Sequence, residues 1–357
     1  YGNSELLYLL AQDIIEPLKK SFYDRWKEII ACSIVKTIQP LPLRLIQSRW
    51  EKLAISQKID AALSPNTISD VMRDIGKDYA SQKEFFDELM VDSKTLIFDL
   101  SSIFSYSENL KYAEKGHNAD HLYLKQINFM LFFSMDKQLP VLLKPMPGSV
   151  RDVKALRAVI DEVNAKDSTL VIDRGFASHV IPDLLTELDF NFILPLRRNF
   201  IDIDYDWRLD YTFSYRKRGI KWGRKRIGAN FLYMFEDVKL RAEEETTFIH
   251  LMNEKKRNIE EYKDASKKFG KIAILSNRDE AGETIYLMWK DREHIEVAFD
   301  ALKNELENDK TYLGNDEAVR GYFFISFLSL YLYYKILNLL RKAKLVDKVS
   351  VNEVLLE

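Results

Sequence analysis

The hydrophobic pattern of this chain changes at residue 94, and this change restricts the fold more than any other feature. Before it, residues 5–90 carry apolar side chains at helical spacing. After it, two helical patterns at 149–166 (beginning at Ser149, a good N-cap residue) and 181–188 alternate with β-forming runs. There are five such runs: KTLIFDLSS (94–102), INFMLFFSMD (127–136), LPVLLKPMPG (139–148), TLVIDRG (169–175) and FNFILPLR (190–197). This order predicts an α/β fold, with a mixed sheet flanked by helices and a hairpin formed by the second and third runs.

Further changes of pattern divide the chain into segments. A polar stretch with spaced aromatic residues and glycines follows residue 197, and a long amphipathic helix is predicted over 280–309. We expect five segments: an N-terminal helical, candidate DNA-binding domain (1–92), the first part of the core (93–197), a β-rich insertion with a charged helix around 253–269 (198–271), the second part of the core (272–345) and a tail (346–357). The first segment is interpreted equally well as a helix-turn-helix or as a small bundle without a ligand.

The overall charge argues against a globally basic nucleic-acid binder. The chain has 53 Lys and Arg and 55 Asp and Glu residues, for a net charge of −2, so contact with DNA must come from local clusters. Its single cysteine, Cys32, excludes an internal disulfide and favours a reducing, cytoplasmic location. The apolar stretch 321–340 is interrupted by Lys335 and Asn338, so we interpret it as a buried helix and expect no membrane association.

Acidic residues follow two of the apolar runs. Asp99 ends the first predicted strand, and Asp173 ends the fourth. Each residue alone is typical of a turn. The carboxyl ends of neighbouring strands, however, meet at one edge of an α/β sheet, where sites form. The pair therefore favours a functional site.

A third acidic residue lies on the predicted helix over 280–309. At about 100° per residue, Trp289, Arg292, Glu296 and Lys303 fall within an arc of about 60° that borders the apolar face of this helix. An exposed ladder of ion pairs explains this spacing poorly, because Arg292 precedes Glu296 in the less favourable i,i+4 order. Three carboxylates suit Mg²⁺, and two such ions about 3.5–4 Å apart can activate a nucleophile and stabilise a leaving oxygen.

Other site chemistries lack their motifs in this sequence. The five histidines are scattered, and His117 and His121 lie in a predicted loop, so a zinc site is not favoured. The sequence has no P-loop, no dinucleotide-binding glycine motif and no nucleophile elbow. We therefore expect no nucleotide cofactor.

The acidic residues and the helix row carry a resemblance to a known family. Asp99 in IFDLSS, Asp173 in VIDRGF and the string W-x2-R-x3-E-x6-K (Trp289, Arg292, Glu296, Lys303) resemble the DDE-type insertion-sequence transposases with the Y-x2-R-x3-E-x6-K signature. The resemblance in element order covers about 94–345. It implies a ribonuclease-H-like core in which Asp99, Asp173 and Glu296 are catalytic and bind two Mg²⁺ or Mn²⁺ ions, with Asp99 bridging both. Trp289 replaces the family's tyrosine, which removes a phenol hydrogen bond but keeps a stacking surface.

The same resemblance implies a function and partners. A DNA transposase of this family would hydrolyse a phosphodiester at the element end, leave a 3′-hydroxyl and transfer that strand to target DNA. Its partners would be element ends, target duplex and a second copy of the chain in a homodimer, and its location would be the nucleoid in a prokaryotic cytoplasm. Two alternatives stay open: another two-metal nuclease on the same core, such as a resolvase or repair nuclease, and a non-catalytic DNA-binding protein derived from such an element.

A basic strip within the predicted insertion is a candidate DNA contact. Basic residues neutralise phosphates, and aromatic residues stack on unpaired bases; the alternative is a solvated, charged hairpin. The resemblance adds Trp289, Arg292 and Lys303, with the last two holding phosphates beside the metals. The strip comprises Arg216, Lys217, Arg218, Lys221, Trp222, Arg224, Lys225 and Arg226.

Overall fold

The computed structural model describes residues 2–105, 107–116, 124–150, 152–200, 203–307, 310–311 and 313–356. The predicted loop with His117 and His121 lies outside these residues. Contacts divide the chain into two compact units. Unit 1 comprises Tyr1–Ala165 and Glu293–Glu357, and unit 2 comprises Lys166–Arg292. The N-terminal helical segment therefore shares a unit with the first strands of the core, and the predicted insertion shares a unit with the strands around it.

Unit 1 begins with helices, as the spacing of apolar residues predicts. α5 begins where the Ser64 side chain accepts a hydrogen bond from the Thr67 N–H and Pro65 takes the first helical position, both of which are typical of a helix start. These helices are α1 (Gly2–Leu10), α2 (Gln12–Ser21), α3 (Trp26–Ile38), α4 (Ile46–Trp50), α5 (Pro65–Lys77) and α6 (Tyr79–Met90).

The sheet of unit 1 is built around β3 (Lys125–Ser134). Three strands pair with it antiparallel: β1 (Thr95–Ser105), β2 (Glu114–Lys115) and β4 (Leu139–Pro147). The short β11 (Lys310–Thr311) runs parallel to the end of β1. The hairpin predicted from the second and third apolar runs is confirmed as β3–β4.

One predicted helix start in unit 1 is wrong. Ser149 was expected to cap the helix that follows β4, but its hydroxyl donates to the Glu114 carboxylate instead. The described helix, α7 (Asp152–Ile160), begins three residues later. The Ser149 hydroxyl therefore bonds to a carboxylate on β2 and not to a backbone N–H of the following helix. The local sequence does not reveal this contact with a distant strand.

The longest helix, α13 (Asp316–Lys342), runs through the core of unit 1. The ring of Phe324 lies 5.2–5.6 Å from the rings of Phe22, Phe85 and Phe86, measured between centroids. A Cβ at Gly321 would lie 2.0 Å from the Met72 carbonyl oxygen, so only glycine allows α5 to approach this closely. By length and composition α13 is able to cross a membrane, but 72% of its apolar window is buried in the protein. The prediction of a buried helix at 321–340 is confirmed, and α14 (Val351–Leu356) follows it.

Unit 2 is built from parallel and antiparallel strands together with helices. Its strands lie in the order β5 (Thr169–Ile172), β6 (Asn191–Pro195), β10 (Lys271–Ser276), β9 (Asn230–Asp237), β8 (Arg218–Ile227) and β7 (Tyr211–Tyr215). The β5–β6 pair is parallel, and the later pairs are antiparallel. The strands of the predicted insertion therefore extend the sheet of unit 2 through β10.

The helices of unit 2 differ from prediction in one place. They are α8 (Val180–Glu187), α9 (Val238–Asn253), α10 (Ile259–Ser266) and α11 (Gly282–Lys290). The charged helix expected around 253–269 corresponds to α10, and the longer α9 before it was not predicted. None of the described side chains of α9 is buried, so α9 lacks the apolar stripe that reveals a helix in sequence.

The long helix predicted over 280–309 is also wrong in its continuity. α11 ends at Lys290, and α12 (Glu293–Asp300) begins after a turn at Asp291 and Arg292, where the chain leaves unit 2. α12 continues into a π-helical turn, Ala301–Glu305, which the Leu306 N–H closes by bonding to the Ala301 carbonyl at 3.0 Å. Apolar periodicity is the same on both sides of the turn, so the sequence pattern does not reveal the break.

Candidate active site

Asp99 lies inside β1 and not at the end of a strand. β1 continues to Ser105 because β3 pairs with it as far as Phe104. The predicted strand end at Asp99 is therefore wrong. One acidic residue does not end a strand when the residues on both sides of it remain hydrogen-bonded to the neighbouring strand. The Asp99 side chain is half-buried, and its Oδ1 accepts the Leu100 N–H at 2.8 Å.

Strand register shows which face of the unit 1 sheet carries Asp99. In the β1–β3 ladder, Asp99 lies directly opposite Leu131. Opposite residues of an antiparallel pair share a face, and side chains two positions apart along a strand share it as well. Asp99 therefore lies on the same face as Phe129 and Phe133.

α12 packs on this same face. The Phe129 ring lies 5.6 Å from the Phe299 ring, and the Phe133 ring lies 6.2 Å from the His294 ring, between centroids. His294 and Phe299 both belong to α12, and exposed Glu296 lies between them in sequence. Asp99 and the helix that carries Glu296 thus occupy one side of one sheet.

Lys303 is positioned by the π-helical turn on this face. Its Nζ lies 5.9 Å from the centroid of the Phe129 ring. The π-helical turn adds a residue to the helical repeat between Glu296 and Lys303, so the arc calculated for one regular helix does not describe their relative directions. Single π turns of this kind occur frequently at functional sites.

Asp173 and Arg292 form an ion pair inside unit 2. Asp173 directly follows β5, as predicted, and precedes a 3₁₀ turn at Arg174–Phe176. The Arg292 Nη1 lies 3.5 Å from the Asp173 Oδ1, and the two side chains are 23% and 31% exposed. The arginine of the sequence signature therefore reaches the second predicted carboxylate, which remains accessible to solvent.

Trp289 is held by aromatic and cationic neighbours. Its ring lies 5.3 Å from the ring of buried Tyr286, edge to face, and the Lys290 Nζ lies 4.7 Å from its centroid. Lys290 also lies 5.9 Å from the Tyr215 ring at the end of β7. Sequence reasoning missed Lys290 as a candidate DNA contact, although its position directly after Trp289 was a usable signal.

The predicted trio draws on both compact units. Asp99 and Glu296 belong to unit 1, and Asp173 belongs to unit 2. Among the residues that the structure describes, no group of three or more His, Cys, Asp or Glu side chains is arranged closely enough to bind a metal. The assembly of Asp99, Asp173 and Glu296 into one site therefore stays a prediction.

The basic strip does not form one surface. Arg216 and Lys217, with φ values of 45° and 62°, form the two-residue turn between β7 and β8. The rest of the strip lies on β8, where alternation directs Arg218, Trp222, Arg224 and Arg226 to one face and Lys221 and Lys225 to the other. Trp222 stacks on Tyr211, with the ring centroids 4.6 Å apart.

Most of the β8 cations already have acidic partners. Arg218 bonds to Asp237 at 2.6 Å, and this hydrogen bond raises the pKa of Arg218. The other pairs are Lys221–Glu236 at 3.2 Å, Lys225–Asp204 at 3.5 Å and Arg224–Asp279. The strip is thus partly neutralised within unit 2, and its role in DNA binding stays a prediction.

Comparisons with known proteins agree with the fold. The family described as the transposase DDE domain matches residues 87–332. A piggyBac transposase, solved by cryo-EM as a synaptic complex with hairpin DNA, is similar over 96% of this chain and 77% of that chain, with 10% identity and a TM-score of 0.51. No curated protein matches the chain. The predicted α/β fold class, a mixed sheet flanked by helices with a helical N-terminal region, is confirmed. Because the family match covers more than half of its length, this chain belongs to the transposase DDE domain family.

Proposed function

We propose that this transposase cuts and joins DNA at a site formed by Asp99, Asp173 and Glu296. In the first step, a deprotonated water attacks a phosphodiester at the element end. A new P–O bond forms, the bond to the 3′ oxygen breaks, and that oxygen takes a proton to become a 3′-hydroxyl. In the second step this hydroxyl attacks a target phosphodiester in the same site and displaces a target 3′-hydroxyl.

The observation that carries this proposal is the shared face of Asp99 and α12. An acidic side chain is unusual on a sheet face made of Leu131, Phe129 and Phe133, because burying a charge without compensation is costly. A second carboxylate, Glu296, lies on the helix that packs on the same face. The pair of Asp173 with Arg292 supports the third position, because it links the signature arginine to the second aspartate.

The donor chemistry of these residues fits divalent metal ions. Carboxylate oxygens are hard donors that Mg²⁺ and Mn²⁺ prefer, and the side chains of Asp173 and Glu296 are accessible to solvent. Asp99, Asp173 and Glu296 would hold two such ions. The bound ions would lower the pKa of the attacking water and stabilise the leaving oxygen.

Cations of the signature would bind the DNA strand in this site. Arg292 presents a planar fork suited to phosphate, and its Nη1 lies 3.5 Å from the Asp173 Oδ1. Lys303, on the face of Asp99, would contact a second phosphate as a point charge. Trp289 would stack on a base of the DNA strand, and the neighbouring Lys290 would neutralise one of its phosphates. The similar piggyBac transposase was solved as a synaptic complex with hairpin DNA, and we infer that two copies of this chain act together on paired element ends.

Replacement of each carboxylate tests the proposal. Asp99→Asn, Asp173→Asn and Glu296→Gln should each lower the strand-cleavage rate about 10³-fold, because metal-borne charge stabilisation contributes several kcal/mol and each 1.36 kcal/mol is tenfold. The substrate is a plasmid that carries the inverted repeats flanking the coding region, with Mg²⁺ or Mn²⁺ present.

Asp300→Asn is the matched control. Asp300 is an exposed carboxylate on the same helix as Glu296, where it accepts a hydrogen bond from Asn304. Its substitution should leave cleavage within twofold of the unmodified protein. Cleavage that persists in any one of the three site variants would show that the site is assigned wrongly. Cleavage without joining of the 3′-hydroxyl to a second duplex would instead support a nuclease.

A further inference from the structure

Lys36 is a buried cation whose partners are neutral. It lies in the last turn of α3 and is 5% exposed. Its Nζ donates to the Leu306 carbonyl at 3.1 Å and to the Tyr322 hydroxyl at 3.2 Å, and it lies 4.9 Å from the centroid of the Tyr322 ring. Within the described part of the chain, no carboxylate pairs with this ammonium. Burial of a charged group has a desolvation cost in the free energy of folding. We therefore expect the contacts of Lys36 to serve a specific purpose.

The partner of Lys36 closes the π-helical turn after α12. The Leu306 N–H bonds to the Ala301 carbonyl five residues back, which sets the π register. The Leu306 carbonyl accepts from Lys36. Both backbone groups of one residue are therefore held, one by the turn and one by the lysine. A cation at a helix C-terminus also stabilises the carbonyls that point out of it.

The helix that carries Lys36 is itself fixed in the core. The Ser329 hydroxyl of α13 donates to the Ser33 carbonyl at 3.2 Å, and the Thr37 hydroxyl lies 3.4 Å from the Ser329 carbonyl. Tyr322, the second partner of the ammonium, also belongs to α13. Lys36 thus connects a rigid helix pair to the end of the segment with Glu296 and Lys303.

We propose that Lys36 is a positioning residue for the active-site face of unit 1. By holding the Leu306 carbonyl, it keeps the turn in the π register and so fixes the directions of Lys303 and Glu296. Lys303 lies within this turn. Return of the turn to α-helical register would change the direction of Lys303 relative to Glu296, by up to about 100° per residue removed from the repeat, and would move it away from the Phe129 ring. The inference rests on the proposed roles of Glu296 and Lys303.

Lys36→Met tests this role, because methionine keeps an apolar stem but has no ammonium. We expect a folded protein whose Leu306 amide exchanges hydrogen at least tenfold faster. The single-turnover cleavage rate at saturating DNA should fall at least tenfold. Lys36→Arg keeps a charged donor and should restore the rate to within threefold. A role in packing alone would not give rescue by a second charged donor together with the faster exchange at Leu306.

Lys137→Met is the matched control. Lys137 is a half-buried lysine of unit 1 that donates to the Leu89 carbonyl at 2.7 Å, near the end of α6. The substitution removes a lysine-to-carbonyl hydrogen bond of the same type, but one that does not involve α12 or the turn after it. The cleavage rate should therefore stay within twofold. An equal fall in both methionine variants would overturn the proposal, because the effect would then be general.

The remaining outcomes separate this inference from the proposed function. If Lys36→Met cleaves normally while Glu296→Gln is inactive, the active site stands and the role of Lys36 is wrong. If Glu296→Gln cleaves normally, the proposed function is wrong and the inference falls with it. If Lys36→Met does not fold, Tyr322→Phe removes one acceptor of the ammonium. It should raise Leu306 exchange and lower the rate about threefold; no change in either would overturn the proposal.

Discussion

The sheet face that carries Asp99 and the strand β8 accommodate charge in opposite ways. On the first, one carboxylate lies among Leu131, Phe129 and Phe133, and a helix with a second carboxylate packs over them. On β8, five of the ten residues are basic, both faces of the strand carry charge, and acidic neighbours pair with most of these cations.

This difference shows which sequence signals carry functional information. A single charge in an apolar strand has a large desolvation cost, so it persists only where something compensates for it. A run of charges on an exposed strand has little such cost, because water and nearby ion pairs solvate each member. Asp99, the one charged residue of its strand, is thus a stronger indication of a site than the seven basic residues of the strip.

The largest expected effect in this comparison comes from one cation outside the strip, Arg292. Arg292→Ala should lower cleavage about 10–100-fold, since hydrogen bonds to charged groups contribute about 1.5–3 kcal/mol. Arg292→Lys should recover only part of the rate, because lysine keeps the charge but loses the planar fork. Single-turnover rates at saturating DNA measure both. An alanine variant within threefold of the unmodified rate would contradict this account of Arg292.

A smaller effect is expected from the strip itself. Joint substitution of Lys221, Arg224 and Lys225 by glutamine should weaken DNA binding several-fold at low salt. Each true phosphate contact adds about one unit to the slope of log Kd against log salt, and existing ion pairs compete with such contacts. We therefore expect the slope to fall by less than about three units. A fall of three units or more would mean that the acidic partners release all three cations to DNA.

The smallest effect is expected in the interior of unit 1, at Cys32. Burial raises the pKa of this thiol to about 12, so it stays protonated at pH 8 and is a poor nucleophile. Alkylating reagent at pH 8 should leave native protein unlabelled and fully active, and should label it rapidly in denaturant. Rapid labelling without denaturant would show that the core around α3 opens more readily than its burial indicates.

Part of this structure was predictable from local pattern. Asp173 follows β5 because a short apolar run ends there, and β3–β4 is a hairpin because two such runs are joined by three polar residues. The buried helix α13 follows from apolar length interrupted by Lys335. In each case the determining information lies within a few neighbouring residues.

The rest depends on contacts between distant residues. The turn at Asp291 and Arg292 and the π-helical turn after Asp300 keep the apolar spacing of a helix, so periodicity does not distinguish them from one. The bond of Lys36 to Leu306 joins residues 270 positions apart. The ion pair of Arg224 on β8 with Asp279 joins residues 55 positions apart.

The central claim is that Asp99, Asp173 and Glu296 bind metal together. The most direct test replaces Mg²⁺ with Fe²⁺, adds ascorbate and peroxide, and maps by mass spectrometry where the hydroxyl radicals cut the protein backbone. The account predicts cuts near residues 99, 173 and 296 that excess Mg²⁺ suppresses, and that Asp173→Asn weakens at all three places. Cuts near 99 and 296 that persist unchanged in Asp173→Asn, with none near 173, would contradict it.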